Sequence, residues 1–196
     1  AVASDGETQV WVKTGTYYGD VTEANGAFNI YQRNRVYGGF EGDETPDFNI
    51  DNRDLENNPT ILDGENQRRV INQQYHFGSS AFSIWDGFTI QNGSAGSGGG
   101  AYLCSNSYFY NCSFINNTSN GQGGAIYSVT PLNDHSKNII ENCIFENNTS
   151  SMGGAIFDNM GLTLTNCRFI GNNANTKGGA YYVFMNKFPV VANCIF

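Results

Sequence analysis

The chain is built from short stretches in which every second residue is apolar, separated by turns rich in glycine and asparagine. Leu162-Thr-Leu164 and Cys167-Arg-Phe169 each place two apolar side chains on one face and a polar one on the other. This two-residue period is that of a half-buried β-strand. The pattern therefore predicts strands of only a few residues, each ended by a tight turn.

Two sequence motifs, Gly-Gly-Ala and Asn-Cys-x-Phe, recur in strict alternation through the second half of the chain. Each motif returns at intervals of roughly 24–31 residues, and a recurring period of this length indicates a repeat protein. The Gly-Gly-Ala motifs begin at Gly99, Gly123, Gly153 and Gly178, and the Asn-Cys-x-Phe motifs begin at Asn111, Asn142, Asn166 and Asn193.

The amino-acid composition indicates which kind of repeat the chain forms. The chain holds 24 glycines and 27 asparagines, which favour turns and disfavour helices. Helical repeats are therefore excluded, and the leucine ladder of leucine-rich repeats is absent. A coil of strands and turns remains. The sequence thus predicts an all-β fold, a single-stranded parallel β-helix with coils of roughly 24–31 residues.

One β-helix domain is expected over residues 1–196. Residues 81–196 form regular coils, whereas residues 1–80 follow the pattern less regularly and include an excursion around 41–58, where charged residues gather. The interval between Gly-Gly and Cys varies, and its extra residues predict a protruding loop at 130–138. Because the sequence stops on the phenylalanine of the fourth Asn-Cys-x-Phe motif, we expect a piece of a longer chain.

Charge and hydropathy exclude two kinds of partner. The net charge is −8 with only 10 basic residues, which argues against nucleic-acid binding. No apolar run approaches the roughly 20 residues of a membrane-spanning helix, so no transmembrane segment is expected.

Three repeated positions predict structural ladders, in which one residue type stacks from coil to coil. Asparagine tolerates the backbone of a tight corner, and its amide can bond along the axis. The cysteines are expected to be buried free thiols, because Cys104 leaves an odd number and stacked positions seldom suit a disulfide. The ladders comprise Asn111, Asn142, Asn166 and Asn193; Cys112, Cys143, Cys167 and Cys194; and Phe114, Phe145, Phe169 and Phe196.

The strand after each Gly-Gly offers two columns of side chains, of which one must face the core. We expect the column that contains Ala125 and Tyr127 to face inward. The other column would then be exposed, with the 130–138 loop at its rim, and could stack on sugars or meet a partner. The candidate ligand-binding residues are Tyr102, Ile126, Ile156, Tyr181, Asp158, Asp134 and His135.

The motifs also carry a family resemblance. Gly123–Ile126 and Gly153–Ile156, with Phe114–Asn117 and Phe145–Asn148, resemble the polymorphic outer-membrane-protein repeat known from chlamydial adhesins and other bacterial surface proteins. Segments of the first half resemble the opening coils of large secreted β-helix proteins that are abundant in the Bacteroidetes. The resemblance implies a right-handed β-helix located outside the cell or on the bacterial surface. The first-half segments are Trp11–Tyr17, Tyr37–Thr45 and Asn58–Gly64.

Catalysis is a weaker interpretation of the sequence. Glycosidases need two carboxylates across the scissile bond, and lyases need a base near a cation. The Asp-Asp, Gly-His-Gly and Arg-Ile-Lys signatures of β-helix pectin hydrolases are absent. No catalytic residue, metal ligand or cofactor is therefore assigned. Calcium is kept as an alternative to a solvated acidic loop, with oxygen ligands from Asp43, Glu44, Asp47, Asp51 and Asp54.

These observations favour a non-catalytic extracellular or cell-surface β-helix module with an adhesin-like or structural role. Its partner would be a glycan, or a surface or secretion protein. Two alternatives stay open: a lyase-like polysaccharide-active enzyme or its inactive relative, and the cargo of a secretion system such as type IX, seen in part. A carboxylate or Lys/Arg cluster on one coil face would favour the enzyme. An exposed aromatic ladder without such a cluster would favour binding.

Overall fold

The chain folds as a parallel β-solenoid of about six turns in the computed structural model. No α-helix occurs in the described part of the chain, and Ile50–Asn52 forms a short 3-10 turn. Strands pair in parallel with the same segment of the neighbouring coil. The predicted all-β parallel β-helix is confirmed. The structure describes residues 8–20, 27–29, 34–73, 82–104, 106–129, 137–184 and 188–196.

Four parallel sheets run along the solenoid, and a complete turn contributes one strand to each. The first sheet contains Thr8–Lys13, Asn34–Phe40, Phe82–Asp86, Asn106–Tyr110, Ile139–Glu141, Thr163–Thr165 and Val190–Ala192. The second contains Gly15–Tyr18, Thr60–Asp63, Phe88–Gln91, Ser113–Ile115, Ile144–Glu146 and Arg168–Ile170. The third contains Ser94–Ala95, Thr118–Ser119, Thr149–Met152 and Asn173–Lys177. The fourth contains Ile71–Gln73, Ala101–Leu103, Ile126–Val129, Ile156–Asn159 and Tyr181–Val183.

Phenylalanine rings stack along the inner face of the second sheet. Phe114 pairs with Phe145 on the next coil, and Phe145 pairs with Phe169 on the coil after that. Their ring centroids are 4.9 and 4.8 Å apart with planes within 7° of parallel, and Phe196 extends the stack at 4.7 Å. Removing each inner ring from water contributes about 2–3 kcal/mol. The stack therefore forms a large part of the core.

The cysteine column lies beside this stack. Cys112, Cys143 and Cys167 are at most 1% exposed, and all five cysteines of the chain are free thiols. The sulfur of Cys143 donates to the carbonyl oxygens of Glu141 at 3.3 Å and Phe109 at 3.6 Å. The thiols thus pack as small buried groups with weak hydrogen bonds to the main chain.

The corner between the first and second sheets is made by residues in the left-handed backbone region. Asparagine tolerates this conformation better than other residues with a side chain, because its amide bonds locally. Gly87 takes the same corner in an earlier coil with φ +80°. The amides at this corner are weakly linked, since Asn142 Nδ2 and Asn111 Oδ1 are 3.5 Å apart. The φ angles are +52° at Asn111, +55° at Asn142, +56° at Asn166 and +54° at Asn193.

A second asparagine ladder, which we did not predict, follows the second sheet. It is formed by Asn117, Asn148 and Asn172, one from each of three Asn-rich turns. Asn117 and Asn148 are 0% exposed. Their amides bond to one another and to the main chain of the coil before, for example Asn148 Nδ2 to the Phe114 carbonyl at 2.9 Å. These amides therefore satisfy the main-chain groups that the turn leaves without strand partners.

The segment between Phe40 and Thr60 leaves the sheets and is tied back by Arg53. The Arg53 guanidinium donates to the Gly38 carbonyl at 3.0 Å and forms a 3.1 Å ion pair with Asp86, both side chains being at most 13% exposed. The guanidinium also lies over the rings of Tyr37 and Phe40, at 5.1 and 5.8 Å. These contacts hold the excursion against the outer face of the first sheet.

Candidate functional site

The fourth sheet sets which side chains reach the outer surface. In its register Ala101 pairs with Ile126, Ile126 with Ile156, and Ile156 with Tyr181. Ala101, Ile126 and Ile156 are 0% exposed, so this column faces the core. Because side chains alternate along a strand, the residue after each of these points outward. The outward column is therefore formed by Tyr102, Tyr127, Phe157 and Tyr182.

This arrangement corrects the predicted columns, which are reversed. Ile126 and Ile156 are buried, and Tyr181 shares their inward column, whereas Tyr102 lies outside as expected. The turn glycine with positive φ is Gly98 at +60°, which is equivalent to Gly123 at +59° in the next coil. The predicted motif begins one residue later, at Gly99. This one-residue offset put Tyr102 in register with isoleucine. The isoleucines face inward because their branched apolar side chains fill the core, where both are 0% exposed.

The outward residues form a continuous aromatic column along the solenoid axis. The ring centroids of Tyr102 and Tyr127 are 5.0 Å apart, those of Tyr127 and Phe157 are 5.5 Å apart, and those of Phe157 and Tyr182 are 5.6 Å apart. Phe184 packs 5.6 Å from Phe157, which is 4% exposed. The three tyrosines are half-buried. Each neighbouring ring restricts the next, so the part of the column that solvent reaches is an ordered aromatic surface formed by the three tyrosines.

A cation lies at each end of the column. The guanidinium carbon of Arg69 is 4.9 Å from the ring centroid of Tyr102, and Lys177 Nζ is 5.7 Å from that of Tyr182. Arg69 is held by the carbonyls of Gly98 and Ser97, to which it donates at 3.0 and 2.9 Å. No described carboxylate forms an ion pair with either cation. Within the described part of the chain, both positive charges therefore remain without a paired carboxylate.

Tyr102 has an unusual electrostatic environment. Burial, together with the neighbouring Cys104 thiol and Tyr127, raises the pKa of its hydroxyl to about 12, and the Arg69 charge opposes the shift. Burial also raises the pKa of Cys104. Both groups therefore stay protonated near neutral pH and act as neutral hydrogen-bonding groups beside the arginine.

The prediction that places Asp158 at the exposed face is wrong. Asp158 lies inside the solenoid and is 0% exposed. Its carboxylate accepts the main-chain N–H groups of Met160, Gly161 and Leu162 at 2.8–2.9 Å. Tyr181 also donates its hydroxyl to Asp158 at 2.6 Å, and burial, then the nearby carboxylate, raises the pKa of that tyrosine. The turn after Asn159 curls around the carboxylate, so Asp158 has a structural role.

The two remaining candidates, Asp134 and His135, lie outside the described residues. Of the 130–138 loop, the structure describes Lys137 and Asn138. Lys137 donates its main-chain N–H to Asn106 Oδ1 at 2.7 Å, and Asn138 is 0% exposed. The loop is therefore anchored to the first sheet at this end.

The acidic excursion borders a cleft of about 390 Å³ that is lined by Gly39, Phe48, Arg53 and several carboxylates. These carboxylates serve separate turns. Glu44 accepts the main-chain N–H groups of Glu41 and Gly42 at 2.6 and 2.9 Å. Hydrogen bonds from the side chain and main chain of Asn57 lower the pKa of Asp54. Among the described residues no three His, Cys, Asp or Glu side chains are placed to hold a metal ion.

Two carboxylates occupy equivalent positions on strands of the first sheet. Asp86, Tyr110 and Glu141 are in register on three successive strands. Asp86 is ion-paired with Arg53 and also accepts Asn111 Nδ2 at 2.9 Å. Both oxygens of the Asp86 carboxylate therefore already have partners within the fold.

A parallel β-solenoid with residue ladders defines this chain as a β-helix repeat protein. Residues 111–129 and 142–159 match the family model of the Chlamydia polymorphic membrane protein repeat. Each matched segment begins at a corner asparagine and ends with a strand of the fourth sheet. The repeat unit thus includes the outward aromatic position. No curated protein and no solved structure matches the chain.

The two matched segments are polymorphic-membrane-protein-like coils, and their family points to an outer-membrane or surface location. Across the described residues, no helix combines the length and apolar character that crossing a membrane requires.

Proposed function

We propose that this chain is a non-catalytic module of a bacterial surface protein that attaches to a partner through the outer face of its fourth sheet. The aromatic column of Tyr102, Tyr127, Phe157 and Tyr182 carries this proposal. Aromatic side chains supply large contact areas at interfaces, and tyrosine adds a hydrogen-bonding hydroxyl. The function is therefore adhesin-like.

The scaffold suits such a role. Each coil is fixed to the next by parallel strand pairing and by stacked side chains such as Phe114 and Phe145. A solenoid of this kind is stiff and presents a long repetitive face. A ligand that contacts several rungs meets rings whose spacing is already set, which lowers the entropy cost of binding.

A location outside the cell fits both the repeat match and the resemblance of the first half to secreted Bacteroidetes proteins. Export by a type IX system belongs to the same proposal. The lyase-like alternative loses support, because Asp86 is bound by Arg53 and Asn111, and the aromatic face carries no carboxylate cluster among its described residues.

The test is an adhesion assay with the 196-residue chain coupled to fluorescent beads and applied to epithelial cells. Beads with the unmodified chain should adhere several-fold more than uncoupled beads. The double variant Tyr102→Ala/Tyr127→Ala should lose this adhesion. Tyr108→Ala is the matched control, since Tyr108 is a half-buried tyrosine stacked 5.6 Å from Phe82 on the first sheet.

Two results would contradict the proposal. One is adhesion that the double variant retains in full while its circular dichroism matches the unmodified chain. The other is turnover of a polysaccharide, seen as new reducing ends or as unsaturated product from a uronate polymer. The second result would restore the enzyme interpretation.

A further inference from the structure

We infer that the aromatic column binds an anionic linear oligosaccharide, one that carries carboxylates, laid along the solenoid axis between Arg69 and Lys177. This inference rests on the proposed function and names the ligand class of the same face. The flanking cations and the distribution of acidic residues over the four sheets carry it, and each is independent of the aromatic rings.

The length of the column fits a short oligosaccharide. Tyr102 and Tyr182 are three strand steps apart, which is about 14 Å at the usual spacing of parallel strands, or about three to four pyranose rings. Tyrosine suits such a ligand because its ring packs against the C–H faces of sugars while its hydroxyl bonds to theirs. The strands beneath are paired on both sides from Ala101 to Asn159, so an added peptide strand has no free edge there.

The charged residues around the aromatic column favour an acidic ligand. The protein carries a net charge of −8, yet the strands of the third and fourth sheets contain one carboxylate, Asp158, and it is 0% exposed. The same two sheets and their turns present Arg69 and Lys177, one at each end of the rings. The strands of the first and second sheets, by contrast, carry charges of both signs, with the carboxylates of Asp63, Asp86, Glu141 and Glu146 together with Lys13, Arg35 and Arg168. Among the described residues, the charged side chains that lie against the rings of the column are therefore both positive, on a protein that is acidic as a whole.

Arg69 is placed to bind a carboxylate as well as to hold its own turn. Its Nε and Nη2 are bonded to Gly98 and Ser97, whereas the contact of Nη1 among the described residues is a long one, 3.5 Å to Asn72 Oδ1. That nitrogen keeps donor capacity for a charge-assisted hydrogen bond. A single-stranded nucleic acid also stacks on aromatic rings, but the net charge of −8 on this protein disfavours a long polyanion.

The test is calorimetric titration of the chain with galacturonic acid tetramer, with the neutral galactose tetramer as the matched probe. We expect the acidic tetramer to bind at least five-fold more tightly at low salt, and this preference to shrink several-fold at high salt. Tyr127→Ala should lower the affinity for both tetramers at least five-fold. Lys177→Gln should lower the ratio of acidic to neutral affinity at least two-fold, because it removes one of the two flanking charges. Tyr108→Ala should change neither.

Arg69→Gln is a second charge variant, but it also removes bonds to Gly98 and Ser97, so its fold is checked by thermal melting. Equal binding of both tetramers, lost in Tyr127→Ala, would overturn the anionic assignment and leave the proposed function intact. Failure of both tetramers to bind, while bead adhesion still depends on the tyrosines, would also overturn the anionic assignment and leave the proposed function intact. Tetramer binding that Tyr127→Ala does not weaken would overturn both proposals. Preferential binding of an oligothymidylate would assign the face to nucleic acid instead.

Discussion

Asn148 Oδ1 accepts two hydrogen bonds from the same residue, from the main-chain nitrogen of Asn117 at 2.9 Å and from its side-chain amide at 3.0 Å. Asn148 in turn donates to Phe114 O and to Asn172 Oδ1, both at 2.9 Å. One buried amide therefore links three coils. Its full hydrogen-bonding capacity is used where water is excluded, which makes it costly to remove.

Asn148→Ala should lower the free energy of unfolding by about 3 kcal/mol, because it leaves several buried polar groups of Asn117, Asn172 and Phe114 without partners. Urea denaturation followed by circular dichroism measures the loss. Asn175→Ala, at an exposed position of the third sheet, is the control and should change stability by less than about 0.5 kcal/mol. Equal losses for the two variants would show that the ladder does not stabilise the fold.

The Asp158 and Tyr181 pair predicts a graded series. Tyr181→Phe removes one hydrogen bond, but Asp158 Oδ2 keeps the main-chain N–H of Leu162 at 2.9 Å, so the loss should be about 1 kcal/mol. Asp158→Ala leaves three buried N–H groups unbonded and should cost about 3 kcal/mol or more. The urea midpoints of the two variants provide the comparison. A larger loss for Tyr181→Phe would contradict the assigned role of the carboxylate.

The corner asparagines predict a preference for glycine. Asn166 has φ +56° and is exposed, so its side chain contributes little packing. Asn166→Gly should leave stability nearly unchanged, whereas Asn166→Val should cost about 1–2 kcal/mol, because a branched side chain is strained at this φ. Thermal melting of the two variants tests the order. Equal melting temperatures would mean that the corner relaxes to another conformation.

Alkaline pH should destabilise the protein through its buried thiols. Burial raises the pKa of Cys167 from 9.0 to about 12, and burial also raises that of Cys143. As pH rises above 9, the unfolded state loses these protons while the folded state keeps them, so stability falls between about pH 9 and 12. Urea midpoints measured at neutral pH and again within that window give the fall, and Cys167→Ala should reduce it. A midpoint that is independent of pH would contradict the burial of the thiols.

The fold could be predicted from the sequence because the period of Asn-Cys-x-Phe fixes the stacking of Phe114 on Phe145 and the corner at Asn142. The orientation of the fourth sheet could not, because Gly98 extends the glycine run and hides the true start of the strand. The buried ladder was missed because both members of an Asn-Asn doublet are equally typical of turns. The burial of Asp158 depends on the tertiary path of the following turn, for which the sequence carries no local signal.

Arg53 predicts how the excursion is held. Arg53→Ala breaks an ion pair with Asp86 in which both side chains are largely buried, and should cost about 3 kcal/mol. The segment at 41–58 should also be cleaved faster by a glutamate-specific protease, since Glu41, Glu44 and Glu56 lie within it. Arg168→Ala, at an exposed position of the second sheet, is the control. Unchanged cleavage kinetics would mean that other contacts hold the excursion without the arginine.

The register of the phenylalanine stack bears on how this molecule can change over time. The coil from Phe114 to Phe145 is longer than the coil from Phe145 to Phe169, yet the ring centroids are 4.9 Å apart in the first step and 4.8 Å apart in the second. The extra length enters between Val129 and Ile139, after one fourth-sheet strand and before the next first-sheet strand. Sequence at that junction can therefore lengthen, shorten or diversify under selection while the spacing of the coils, set by the phenylalanine stack, is inherited unchanged.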